Sequence, residues 1–156
     1  MSLELFSLRD KNILITGSSR GIGFELAKGL GKAGGRIILN ARHKDKLKEA
    51  ETELKEMGID VYSSRFDVTD EAGVAESIAD IKNNVGSIDV LFNNAGINLR
   101  DALEDMSLEM YKQNIDVNLA GPFLVAKYCV KDMIARKSGK IINTCSMMSE
   151  LGRNTT

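Results

Sequence analysis

Tryptophan is absent from the 156 residues, proline and histidine occur once each, and cysteine occurs twice. So little proline, beside 43% hydrophobic residues, excludes a disordered or fibrous chain. One histidine and two cysteines, at 129 and 145, form neither a disulfide framework nor a metal-ligand pattern. An excess of one charge is also missing. Lys plus Arg total 21 and Asp plus Glu total 22, for a net charge of −1. That balance gives no support to a nucleic-acid or other polyanion partner. No apolar run approaches the roughly 18 residues of a membrane span. The opening MSLELFSLRDKN carries Glu4 and only a short apolar stretch, so it does not read as a secretory signal. These absences point to a reduced, cytoplasmic protein. Its length suits a single domain with a well-buried core.

Glycine, by contrast, is plentiful at 14, and short apolar runs alternate with longer amphipathic stretches. Runs at 13–15, 37–39, 61–66, 88–92 and 141–142 read as strands. Between them, 22–30, 44–57 and 70–84 read as helices. Ser107 is placed to cap a long helix running to about Arg136. Strand runs that are apolar throughout predict a parallel sheet covered on both faces. Helix-length connections predict right-handed crossovers. In such a fold, ligands sit outside the carboxyl ends of the strands. The segments after Ile15, Leu39, Phe66, Phe92 and Ile142 are therefore the ones that carry chemistry.

Residues 16–23 read T-G-S-S-R-G-I-G. Gly17 permits a tight turn, Gly21 a close approach of backbone to a pyrophosphate, and Gly23 close helix–strand packing. The helix that follows offers its N–H groups to phosphate, with Ser19, Arg20 and Ile22 in the same turn. No G-K-[ST] follows, which excludes a nucleoside-triphosphate loop. The second strand ends in Asn40-Ala41-Arg42, where a cofactor without a 2′-phosphate usually meets an acid. Arg42 and Arg20 together suit a 2′-phosphate, so NADP(H) is favoured over NAD(H). The other reading makes them solvated surface residues. His43 and Lys44 are assigned to solvent. Asp67 and Val68 follow the third strand. Asp67 either accepts from an adenine amino group, with Val68 against the ring, or caps the next helix. Asn93-Asn94-Ala95-Gly96 ends the fourth strand with small residues that let backbone pass close to a ribose and nicotinamide.

The glycine turn and N-N-A-G resemble the short-chain dehydrogenase/reductase family. Asp116-Val117-Asn118-Leu119-Ala120-Gly121 is similar to its helix segment with a catalytic Asn. Lys140-Ile141-Ile142-Asn143-Thr144-Cys145-Ser146 is similar to its strand ending in a catalytic Ser. The resemblance implies a Rossmann-type doubly wound parallel sheet, with five strands in the order 3-2-1-4-5. It implies that residues 1–156 are one dinucleotide-binding domain whose C-terminal part is missing. It assigns Asn118 to a proton-relay water, Ser146 to the substrate oxygen, and Gly17, Ser19, Arg20, Gly21, Ile22, Gly23, Arg42, Asp67, Val68, Asn94, Ala95 and Gly96 to the cofactor. The 145–153 segment C-S-M-M-S-E-L-G-R is most similar to the branch of the family acting on gluconate and 5-keto-gluconate. A keto or hydroxy sugar acid is thus the expected substrate. Arg100 and Arg153 are candidate partners for its carboxylate, Arg153 with surface exposure as the stronger alternative.

The family's Tyr-x-x-x-Lys is absent. Four residues after Tyr62, Tyr111 and Tyr128 stand Phe66, Ile115 and Asp132. The alternative reading is therefore a nucleotide-binding fragment without catalytic competence. A flavodoxin-like signalling domain would share the sheet but would not explain the Asn118 and Ser146 segments. Pro122, four residues after Asn118, has no N–H for the Asn118 carbonyl. This predicts a helix irregularity over 118–122. A fifth strand at the sheet edge, carrying Ile141 and Ile142, predicts either marginal stability or a homo-oligomer that shields it.

Overall fold

The protein is described from a computed structural model covering residues 6–146. Five strands alternate with helices: β1 (Asn12–Ile15), α1 (Gly21–Lys32), β2 (Arg36–Ala41), α2 (Lys44–Glu56), β3 (Val61–Arg65), α3 (Glu71–Asn84) and β4 (Val90–Asn93). Then follow α4 (Leu108–Ile115), a π-helical turn (Asp116–Ala120), α5 (Gly121–Arg136) and β5 (Lys140–Asn143). All pairings are parallel, and the strand order is β3-β2-β1-β4-β5, as expected.

Side-chain alternation along the central strands builds two separate cores. Leu14 and Ile38 face one side, where α3 and α5 contribute Val74, Ile78, Ile81, Val125, Cys129 and Met133. Ile13, Ile15, Ile37 and Leu39 face the other, against Phe24 and Ala27 of α1 and Leu47, Ala50 and Leu54 of α2. This two-sided burial is why β1 and β2 are apolar without interruption. The expectation of burial on both faces fails at β3, whereas β5 stands at the sheet edge as expected. In β3, Val61, Tyr62 and Ser63 are only half-buried, and β5 is exposed throughout. Each edge strand has one neighbour, and Ile141 and Ile142 retain 38% and 42% exposure.

The long helix expected from 107 to 136 is interrupted. Ser107 caps it, its hydroxyl accepting from the Met110 amide at 3.1 Å. At residues 116–120 the helix widens into the π turn, in which the Gly121 N–H donates to the Asp116 carbonyl. The irregularity expected around Pro122 takes this form, with Pro122 in the first turn of α5. Among the described residues, no helix is long and apolar enough to cross a membrane.

Candidate active site

The glycine turn joins β1 to α1, and local sterics explain each glycine. Gly17 has φ +64°, and a Cβ there would lie 2.8 Å from the Ala95 Cα. Gly21 has φ +60° with open space around it. A Cβ on Gly23 would meet the Asn94 amide nitrogen at 2.5 Å and the Gly17 carbonyl at 2.6 Å. The N-terminus of α1 differs from those of its neighbours. α2, α3 and α4 carry Asp45, Glu71 and Glu109 in their first turns. α1 has no acid there, and no side chain caps it at Arg20. α2 and α3 likewise lack a side-chain cap, so it is the missing acid that leaves the positive dipole end of α1 for an external anion. Arg20 and Ile22 are exposed beside it, and Ser19 is half-buried.

Small buried polar residues lock this turn to the rest of the sheet. The Thr16 hydroxyl accepts from the Asn94 and Ala95 amides, both at 3.0 Å. The Asn94 side chain returns two bonds, donating to the Thr16 carbonyl at 3.0 Å and the Gly17 carbonyl at 3.3 Å. Asn94 therefore shapes the turn with its amide. On the other flank, the Ser18 hydroxyl donates to the Ile15 carbonyl at 2.7 Å and accepts from the Asn40 amide at 3.0 Å. The Asn40 side chain accepts from Gly17 N–H and donates to the Ser64 and Phe66 carbonyls. Thr16, Ser18 and Asn40 were not singled out in the sequence. Their positions next to strand ends were the available signal.

At the end of β2, the Arg42 Nη1 lies 3.4 Å from Asp67 Oδ2. Asp67 Oδ1 accepts from the Thr69 amide and hydroxyl. Partial burial pushes this carboxyl up, but the Thr69 bonds and the Arg42 guanidinium outweigh it, so it sits below its ordinary range. Of the two sequence readings for Asp67, helix capping is not what the structure shows. Asp70 holds the cap position of α3, and Asp67 orders the preceding turn. Val68 is only 6% exposed and packs in the core. Its methyl lies 2.8 Å from where a Gly121 Cβ would stand, so its contact is with α5.

An open cavity of about 870 Å³ lies beyond the carboxyl ends of β4 and β5. It is lined by residues of the N-N-A-G segment, by Arg100, Asn114 and Asn118, and by 143–146 up to Ser146. Asn118 and Ser146, far apart in sequence, thus meet one space, with Arg100 on its wall. The Asn118 side chain clamps the segment after β4. Its Oδ1 accepts from the Ile97 N–H at 2.9 Å, and its Nδ2 donates to the Ile97 carbonyl at 2.8 Å. Asn114, one turn earlier, makes the same pair with Leu99, at 3.1 and 2.9 Å. Two asparagines at i and i+4 therefore hold alternate residues of the segment after β4. Gly96 fits beneath this clamp, since a Cβ would approach the Asn118 Oδ1 at 3.1 Å. Asn93 is buried at the cavity wall. Its Nδ2 donates to Asn143 Oδ1, while its own Oδ1 has no hydrogen-bond partner among the described residues. A buried acceptor of this kind suits a water or a ligand donor.

Arg100 and Cys145 are the only ionisable groups among the described lining residues. The described tyrosines are engaged elsewhere or lie outside the lining. Tyr62 donates to Asp80 and Tyr128 to Glu71, and both phenols are pushed up by those carboxylates. Tyr111 is exposed and does not line the cavity. Arg153 lies outside the described residues.

A parallel sheet in the order β3-β2-β1-β4-β5, a glycine turn feeding α1 and a cavity at the β4–β5 ends define the Rossmann-type class of α/β protein. Comparison places it further: the chain belongs to the short chain dehydrogenase family, whose model matches residues 11–156. It is 45% identical over 156 residues to the 2-dehydro-3-deoxy-D-gluconate 5-dehydrogenase of Formosa agariphila, covering 99% of this chain and 59% of that one. It is 44% identical over 152 residues to the 5-keto-D-gluconate 5-reductase of Escherichia coli, covering 97% and 60% respectively. A crystal structure of a gluconate 5-dehydrogenase from Burkholderia cenocepacia with NADP and tartrate superposes with a TM-score of 0.94 at 41% identity. That match covers 99% of this chain and 61% of the other. The chain thus spans about 60% of the length of the curated relatives it matches.

Proposed function

We propose that these residues form the cofactor- and substrate-binding part of an NADP(H)-dependent oxidoreductase acting on a keto or hydroxy sugar acid such as 5-keto-gluconate or gluconate. The observation that carries the reading is the convergence of Asn118, Ser146 and Arg100 on one cavity. Arg100 is its sole cationic lining group among the described residues. A guanidinium there suits a substrate carboxylate. The Burkholderia relative holds NADP and tartrate, a hydroxy acid, which agrees with that chemistry.

The dinucleotide fits this chain on structural grounds. The uncapped α1 N-terminus and the open space at Gly21 suit a pyrophosphate, with Ser19 and Ile22 in the same turn. Arg20 and Arg42, both exposed, suit a 2′-phosphate. Gly96 and Ala95 suit close passage of the ribose and nicotinamide. When bound, the nicotinamide supplies the hydride donor or acceptor. The protein's own part is orientation. Ser146 holds the substrate oxygen, Arg100 anchors the carboxylate, and Asn118 fixes the wall at Ile97 while its carbonyl, lacking a proline N–H, holds a water.

Fluorescence titration tests the cofactor. NADPH binds more tightly than NADH, and Arg42→Ala removes the difference. An unchanged preference in that variant sinks the 2′-phosphate role. A second reading, a binding module without turnover, is favoured by the lack of a carboxylate, tyrosine, lysine or histidine among the described lining residues. Assay of the 156-residue chain with NADPH and 5-keto-gluconate separates the two. Little or no turnover agrees with the lack of a proton donor among the described lining residues. Turnover comparable to the Escherichia coli relative means a donor is present and refutes the second reading.

A further inference from the structure

Arg42 is held from two directions by the end of β3. Its backbone carbonyl accepts from Arg65 Nε at 2.9 Å, across the register in which Ala41 pairs with Arg65. Its guanidinium meets Asp67 Oδ2 through one contact of 3.4 Å. The side chains of Arg42 and Asp67 are 55% and 35% exposed. Such a single, long, half-solvated pair is weak. Asp67 itself is not free to leave. Its second oxygen is fixed by the amide and hydroxyl of Thr69, at 2.9 and 2.8 Å.

A phosphate monoester carries up to two negative charges and accepts from a guanidinium in bidentate fashion. It therefore displaces Asp67 as the partner of Arg42. The carboxylate, anchored by Thr69, stays beside the incoming anion and competes with it for the same guanidinium.

We propose that Asp67 is a specificity-determining residue that acts through Arg42. It holds the guanidinium and thereby reduces the preference for a 2′-phosphorylated cofactor. Arg65 is the positioning residue that keeps the Arg42 backbone in place while its guanidinium changes partners. The proposal rests on the reading of Arg42 as a 2′-phosphate ligand. It explains why an acid and an arginine stand together where cofactor type is decided.

The test is the ratio of NADH to NADPH dissociation constants, measured by fluorescence on the whole chain. Asp67→Asn keeps an oxygen for the Thr69 bonds and removes the charge. The ratio rises on the order of fivefold, as expected for one charge removed beside a phosphate at a partly screened surface. In an Arg42→Ala background the same change raises it less, by roughly twofold or under, because only direct repulsion remains. Arg65→Met lowers the ratio by loosening Arg42. Circular dichroism checks that each variant is folded, and Asp67→Ser is the substitute if Asn is not tolerated. A wild-type chain that prefers NADPH, with the preference lost in Arg42→Ala but the Asp67→Asn ratio unchanged or lowered, overturns this proposal alone. An equal rise with and without Arg42 also overturns it. A wild-type preference for NADH overturns the phosphate reading and the proposal together.

Discussion

Thr16→Val puts a number on the joint between the glycine turn and the end of β4. The substitution is close to isosteric and exchanges one hydroxyl for a methyl at a site only 1% exposed. It leaves two backbone donors, the amides of Asn94 and Ala95, without their 3.0 Å acceptor. Each unsatisfied buried donor costs about 1–3 kcal/mol. Both amides are part-buried, so water at the cavity side recovers a portion, and the lower half of the range applies. The expected loss is about 2–4 kcal/mol, or roughly 4–16 °C in melting temperature for a domain of this size. Thr16→Ser is the matched control. It keeps the acceptor and loses a methyl, for about 1 kcal/mol. Urea denaturation followed by circular dichroism reads both, with an unchanged slope as the sign that only stability has moved. If the Val variant equals or exceeds the Ser variant in stability, the hydroxyl is not the joint and the reasoning fails.

Asn118→Ala removes both bonds to Ile97, so hydrogen exchange at the Ile97 amide accelerates by an order of magnitude or more, while the Leu99 amide, held by Asn114, changes less. Acid lowers stability through carboxylates held below their ordinary range. Lys82 and Arg136 hold Asp132 down, and Lys127 and Tyr128 hold Glu71 down. Their contribution is full above the ordinary values of 3.8 and 4.5 and is lost as pH falls through the depressed ones, so a flat urea midpoint between pH 5 and 2 would count against these pairs. Burial pushes the Cys129 thiol up to about 12, whereas Cys145 is exposed. A thiol reagent at pH 8 therefore labels one cysteine in the native chain and both after denaturation; labelling of both in the native state refutes this packing.

The sequence made legible those features whose cause is local. Ile13, Leu14 and Ile15 announced a strand buried on both faces, and Gly17 and Gly23 announced positions where a Cβ has no room. Ser107 read as a cap because its partner is three residues away. What stayed hidden depends on partners remote in sequence. Thr16 bonds residues 78 and 79 positions later, and Asn40 bonds the end of β3. A small polar residue at a strand end looks the same whether it meets solvent or another strand. Asn114 was missed for a similar reason, since nothing in its helix shows that Leu99 lies alongside. Ile141 and Ile142 stand half-exposed on the edge strand where the sequence put them. Asp67 and Val68 fell between, correctly placed at the end of β3 but engaged with Arg42, Thr69 and α5.

The π turn between α4 and α5 acts as a phase adaptor. Asn114, upstream, and Asn118, within the turn, must face the segment after β4. Downstream, Gly121, Val125, Cys129 and Met133 must face the sheet core. A π turn accommodates about one extra residue in an α-helix, and each residue turns the helix by about 100°. The widened turn thus lets one continuous helix present two faces whose angular offset is set independently of their spacing in sequence. Deleting one residue within 116–120 would shorten the chain by a trivial length yet force a choice between the clamp on Ile97 and the packing of α5. The cavity wall and the hydrophobic core are in this sense geared to each other through a single helical register.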